Sequence, residues 1–424
     1  MQRLYPLILL FSLLLCSCHD DVPVQPGSTV ARRTVLIYMA AQNSLKKKAA
    51  ADSTEIMNGR QYLADNDRLL LFIDDDSLRA PRLYRIARQW NKPHLVTTFD
   101  NDACSTSPHT LQTVLQTIKD KFPAQEYGLT LWSHADGWLP ATNTDYDNRY
   151  PTTAAVPARP FSFGIDTNYN KYNSDDGTQM NITDLAQVIQ RTGLHFNYIL
   201  FDACLMQNLE VDYALRNVTD YVVASPMAIP TAGANYTNQL RCGLFAASPD
   251  SITRTYYNDV VNEYYTIYDD IGITISAVRT DQLPALATTL KEALPYSALA
   301  NRQSPDMSSV LNYQTYARIF YYRPHNYDAL QAFERLLPEP YLSNVLQALE
   351  RCVTSHYSTP RIYVGPYNRY QNIPTATDHY RAVSLFIPQT IYTDNANKCI
   401  FGDLNQTFQQ TEWYTACGMN TTGW

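Results

Sequence analysis

Glycine is scarce in this chain, at 14 of 424 residues, and nowhere forms the phosphate-cradling loop of nucleotide-binding proteins. The net charge is −7 and no basic run exceeds Lys46-Lys47-Lys48, which argues against nucleic acid as the main partner. There is no helical His-Glu-x-x-His motif. His94, His109, His195, His325, His356 and His379 are scattered without metal-ligand spacing, so no metal site is expected from them. No internal repeat or low-complexity segment stands out. What the chain does have is length, enough for two modest domains or one large core with additions. It also has 32 tyrosines, which suit a wet, contact-rich surface without naming a ligand.

The N-terminus reads as an export signal. Met1-Gln2-Arg3 is a short positive start, Leu7 to Leu15 is apolar, and Leu15-Cys16-Ser17-Cys18 closes the run. Such a run is too short to span a bilayer as a stable helix. The closing residues resemble a bacterial lipoprotein box in which Ser17 precedes the lipidated Cys18; an ordinary cleaved signal is the alternative. Residues 1–17 are thus expected to be removed and 18–33 to form a flexible tether. The protein is expected to be exported and lipid-anchored to the bacterial outer membrane, facing the periplasm or the cell surface. Six cysteines remain in the mature chain: Cys104, Cys204, Cys242, Cys352, Cys399 and Cys417. That compartment permits disulfides, but the pairing stays open.

The body starts at Thr34. Val35 to Met39 and Leu69 to Ile73 are continuous apolar runs, the pattern of strands covered on both faces. A helical stretch, 44–62, lies between them, and Leu83 to Ile86 suits a short edge strand. Thr110 to Lys121 is an amphipathic helix, with Leu111, Val114, Leu115 and Ile118 on one face. Asp184 to Arg191 is another helix, and residues 221–224 and 273–278 are further strands. Alternating strands and helices imply an α/β fold with a mostly parallel sheet, and such sheets carry their sites at the carboxyl ends of strands. A boundary near 283 would separate a domain at 34–282 from a helical or mixed accessory region at 283–424. That region reads as helices at 283–294, 309–337 and 341–355, then a strand at 382–387.

Two strand ends carry chemistry. Residues 198–201 are apolar and stop at Asp202-Ala203-Cys204, where helix-forming sequence begins. Partly unpaired N–H groups at a helix start would favour the Cys204 thiolate. Residues 128–132 lead in the same way into Ser133-His134. Neighbouring strands would bring a nucleophile and its acid–base partner to one edge. Asp202 is two residues from Cys204 and points to the same side; capping the following helix is its alternative role. Glu210 and Asp212, on that helix, read as structural or solvated. The long Ala141 to Ser162 segment, with Pro151, Pro157 and Pro160, is of a length that is usually functional or disordered.

At these residues the chain resembles the clostripain family of cysteine endopeptidases, which share a caspase-like fold. The likeness runs through VLIYMAAQNSL at the first strand, FPAQEYGLTLWSHADGWLP around His134 and NYILFDACLM around Cys204. It implies that His134 and Cys204 are a catalytic dyad, that the Ala135 and Cys204 N–H groups hold the oxyanion, and that Asp202 anchors a Lys or Arg at P1. It also implies peptide or protein substrates and self-cleavage between the two halves near Arg149 or Arg159; the sequence requires no cofactor, and calcium activation occurs in the family. No stretch has recognisable calcium-loop spacing. The chain departs from the family at two positions. Ala135 stands where the family has glycine after the histidine, and Ala232 where it has a second pocket acid. A catalytically inactive binding protein on the same fold is the competing expectation.

Overall fold

The computed structural model describes residues 30–100, 103–141, 143–146, 162–167, 177–265, 272–318, 321–365, 369–373, 379–393 and 403–424. Cys18, Arg149, Arg159 and Cys399 lie outside the described residues.

The long apolar runs become the centre of a nine-stranded sheet. Its N-terminal strands are β1 (Ala31–Ala40), β2 (Asp67–Asp74), β3 (Arg82–Ile86), β4 (His94–Thr98) and β5 (Ala124–Trp132). A small hairpin follows, β6 (Phe163–Asp166) with β7 (Thr178–Met180), and then β8 (Tyr198–Asp202), β9 (Tyr221–Ala224) and β10 (Thr274–Arg279). Beyond these, β11 (Thr315–Arg318) and β12 (Tyr321–Pro324) pair with each other, and β13 is Tyr327–Asp328. The last strand of the large sheet is β14 (Val353–Ser358), and the order across it is β14-β10-β9-β8-β5-β1-β2-β3-β4. The five central strands run parallel, and β3, β4, β10 and β14 add antiparallel margins.

Alternation along β1 explains why its run is unbroken. Leu36 and Tyr38 enter one core, and Val35, Ile37 and Met39 enter the other. Each fully buried aliphatic contributes about 1.5–3 kcal/mol, so both faces of these strands demand cover. Helix Pro108–Lys121 covers the first face with Leu111, Val114, Leu115 and Ile118; it starts at Ser107, which caps it, with Pro108 in the first turn. Helices Lys46–Gly59 and Asp250–Asp259 cover the second face through Ala49, Ile56, Ile252 and Tyr256.

Several expectations are corrected. Residues 309–337 are not one helix: β11, β12 and β13 precede a helix of Ala329–Leu336. Pro324 cannot donate within a helix, and the tyrosine-rich stretch before it prefers a pleat. Leu83–Ile86 is not the sheet edge, since β4 pairs outside it. The strand expected at 382–387 shrinks to Ser384–Leu385. Ala382 has φ 55° and the Phe386 N–H donates to the Glu210 side chain, so neither continues a ladder. The last strand of the large sheet, β14, comes from beyond residue 283.

Candidate active site

Strand β5 ends at Trp132 and pairs in parallel with β8, with Trp132 opposite Asp202. His134 and Cys204 therefore leave the same edge of two adjacent strands. Ser133 fixes the first exit: its hydroxyl donates to the Ala40 carbonyl at 2.7 Å and accepts from Ile165 N at 3.2 Å. Asn43 ties the same region together, donating to the carbonyls of Ala40 and Ile165 at 2.9 Å each. Strand β6 then clamps the histidine loop, with Gly164 N donating to His134 O at 2.9 Å and Asp136 N to Ser162 O at 3.2 Å. Ala135 bridges Phe163 in that clamp, and its own N–H serves neither of the two bonds.

The histidine loop abuts the cysteine loop at Gly137. There φ is +73°, and a Cβ would lie 2.7 Å from the Leu205 carbonyl oxygen and 2.8 Å from Asn208 Nδ2. The left-handed residue of the loop is thus Gly137, not position 135. Leu205 also has positive φ, at 64°, and its N–H donates to Met227 O at 3.0 Å, turning the chain sharply after the cysteine.

Cys204 is half-buried and its Sγ accepts from Ile229 N at 3.4 Å. Burial pushes its pKa up to about 11, the Asp136 and Asp202 carboxylates push the same way, and the Ile229 N–H opposes them. This corrects the expectation of a stabilised thiolate. The following helix begins only at Leu209, capped by Asn208, so its N-terminal dipole does not act at the sulfur. Cys204, Cys242, Cys352 and Cys417 are free thiols.

Sequence reasoning missed Ser44. Its Oγ lies 2.9 Å from His134 Nε2, and it sits in the loop after β1, beside Asn43. Nothing in a residue 90 positions away signalled this contact.

Asp202 is buried at 3% exposure, and both its oxygens are engaged. Tyr256 donates to Oδ1 at 2.8 Å, Tyr236 to Oδ2 at 2.9 Å, and Ala234 N lies 3.2 Å from each. Burial raises its pKa, and these donors counter it. The turn carrying Ala232 does reach this carboxylate: a Cβ on Gly233 would come within 2.9 Å of Oδ2. A second acid approaches from elsewhere. Asp52, accepting from Trp132 Nε1 at 2.8 Å, is pushed to about 8 by burial and then by Asp202 and Glu55. Its sequence context, mid-helix, gave no hint of this. Glu210 and Asp212 are buried, not solvated.

Among the described residues no three His, Cys, Asp or Glu side chains group so as to hold a metal ion. Asp75 pairs with Arg79 and Arg82, Asp76 with Lys46 and Arg79, and Asp166 accepts from the Ser105 hydroxyl and N–H. Asp175 and Asp176 lie outside the described residues.

A mostly parallel sheet flanked by helices, with a cysteine and a histidine leaving adjacent strand ends, defines a class: cysteine peptidases of caspase-like fold. The family profile of clostripain matches residues 37–337, and the chain belongs to the clostripain family of cysteine endopeptidases. A secreted C11 cysteine protease from Bacteroides thetaiotaomicron, solved with an irreversible peptide inhibitor, is 28% identical with a TM-score of 0.72, covering 92% of this chain and 100% of its own. An inactive zymogen C11 protease from Parabacteroides distasonis is 26% identical with a TM-score of 0.71, covering 92% and 99%. A further secreted C11 protease from Bacteroides thetaiotaomicron, 21% identical with a TM-score of 0.72, shares the fold over 92% of this chain and 100% of its own. No curated protein matches the sequence.

Proposed function

We propose that this endopeptidase cleaves peptide bonds through a Cys204–His134 dyad. The observation that carries the reading is the parallel pairing of β5 with β8, which delivers the two side chains from one sheet edge. Cys204 Sγ forms a bond to the scissile carbonyl carbon while its proton passes to His134. The imidazolium returns that proton to the leaving amine as the C–N bond breaks, and water then hydrolyses the thioester with His134 as base. The N–H groups of Ala135 and Cys204 stabilise the oxyanion, worth roughly 3 kcal/mol per donor. The Ala135 N–H supports this role because the β6 clamp leaves it unused by the two bonds that hold the loop.

Asp202 favours a Lys or Arg at P1. Its carboxylate is fixed by Tyr236 and Tyr256, so a P1 cation meets it together with two oriented hydroxyls. With Ala232 in the neighbouring turn, Asp202 acts there without a second carboxylate, since Asp52, pushed up to about 8 by burial, holds its proton at neutral pH.

Maturation proceeds by self-cleavage at Arg149 or Arg159, and the zymogen form of the Parabacteroides distasonis relative supports a latent precursor. Lipid on Cys18 holds the enzyme on the outer membrane. The lipoprotein-like sequence supports this, and Cys18→Ala moves the protein to the soluble fraction if it is right.

Labelling with a peptidyl chloromethyl ketone tests the dyad. Wild type becomes covalently modified, and Cys204→Ala and His134→Ala do not. Modification that survives in either variant, or none with any P1 side chain, overturns the reading. For maturation, wild type and Cys204→Ala are expressed side by side. Nicking in wild type alone supports self-cleavage, and nicking in both or in neither sinks it.

A further inference from the structure

We infer that Ser44 is the positioning residue for the catalytic histidine: its hydroxyl holds His134 Nε2 and so fixes the plane in which the imidazole meets Cys204. This inference rests on the His134–Cys204 reading and extends it to a third side chain.

The contact is 2.9 Å, the distance of a well-made hydrogen bond. Its anchorage is unusually firm for an exposed serine. The preceding residue, Asn43, is fully buried, and its amide reaches the carbonyls of Ala40 and Ile165 and, at 3.3 Å, the Ser133 hydroxyl. Asn43 Oδ1 also accepts from Leu45 N at 2.9 Å, closing a turn around Ser44. The loop bearing Ser44 and the loop bearing His134 are therefore pinned to the same two partners, the end of β1 and β6, and to each other through Asn43 and Ser133. Ser44 cannot drift relative to the imidazole without breaking buried hydrogen bonds.

A base needs its second nitrogen held, because that bond selects the tautomer and the ring plane. A hydroxyl can accept from Nε2–H or donate to a bare Nε2, so the bond persists through the protonation cycle of the imidazole. The identity of the partner matters too. A carboxylate would favour a standing imidazolium, whereas a neutral hydroxyl stabilises it only modestly. The Cys204 proton passes to the imidazole as the S–C bond forms. When the imidazolium exists, Nε2–H donates to Ser44 Oγ as a charge-assisted bond, the stronger kind.

The test uses the full chain, one peptide substrate, and the variants Ser44→Ala and Ser44→Thr, read as kcat/KM against pH. Ser44→Ala is expected to lower kcat by about tenfold or more with KM little changed, as befits loss of base positioning. It also removes a bond that favours the imidazolium, so the acid limb of the profile moves to lower pH. Ser44→Thr keeps the hydroxyl and restores both quantities. An alanine variant within about twofold of wild type, an acid limb that stays in place, or a threonine variant no better than alanine overturns the inference. His134→Ala and Cys204→Ala run in parallel. If those two stay active, the dyad itself fails; if they are dead while Ser44→Ala is normal, only the role of Ser44 fails.

Discussion

Tyr256 donates its hydroxyl to Asp202 at 2.8 Å, tying helix Asp250–Asp259 to the strand that delivers the nucleophile. Under the proposed P1 role of Asp202, that single bond joins specificity to packing, because Tyr256 is itself fully buried in the core. Asp202→Asn is expected to cut kcat/KM for Lys or Arg at P1 by roughly 10- to 100-fold relative to a neutral P1, on the scale of a lost charge-assisted contact. Tyr256→Phe should cost less, about fivefold, since it removes one of several donors. A digest of a peptide library reads both; an unchanged P1 profile in Asp202→Asn would falsify the pocket assignment.

The cysteine makes a prediction about pH. With its thiol pushed up to about 11, alkylation of Cys204 by iodoacetamide should be slow at neutrality and rise about tenfold per pH unit toward that value. Mass mapping of the Cys204 peptide separates it from the other cysteines. A rate that levels off below neutrality would mean that the unliganded site already holds a thiolate.

Gly137 makes a prediction about loop contact. Gly137→Ala places a methyl against the Leu205 carbonyl and strains a backbone at φ +73°. The strain is on the order of 1–2 kcal/mol, before any movement of the catalytic loops. Activity should fall by more than the melting temperature suggests, because the two loops that must move apart carry His134 and Cys204. Equal activity at unchanged stability would dissociate Gly137 from the site.

Glu210 makes a prediction about stability. Its pKa is raised from 4.5 to about 8 by burial, countered by the Phe386 N–H at 2.8 Å and by its own backbone N–H. The unfolded chain releases this proton at lower pH than the folded one. The stabilisation is therefore full below about 4.5 and is lost as pH rises toward 8, at roughly 1.4 kcal/mol per unit. Glu210→Gln stays neutral in both states, so its urea midpoint should fall less than that of wild type between pH 5 and 8. Parallel slopes would show that Glu210 titrates normally.

The parts legible in the sequence were those with a period. Runs such as 35–39 and 198–201 could be read because both faces of each strand are covered, and helix 110–121 because one face is. The order of His134 and Cys204 after such runs made the pair visible. Ser44 was not legible: it lies in an irregular loop, and its partner is set by tertiary packing through Asn43. The stretch 315–324 was misread because apolar aromatic residues fit either period when short, and only strand pairing decides between them. Asp52 lies mid-helix with no motif around it, and its buried hydrogen bond to Trp132 is set by tertiary packing.

The strand order has a consequence for the proposed self-cleavage. Everything before the Ala141–Ser162 segment lies on one side of the β5–β8 ladder or helps to flank it, and every strand of the sheet after it lies on the other. A cut in that segment converts one chain into a heterodimer whose subunit boundary is the catalytic seam. Each subunit then owns one half of the chemistry, and β6 of the second subunit grips the histidine loop of the first. Dissociation of the subunits and loss of activity become a single event, so activity of the nicked enzyme doubles as a direct assay of subunit affinity.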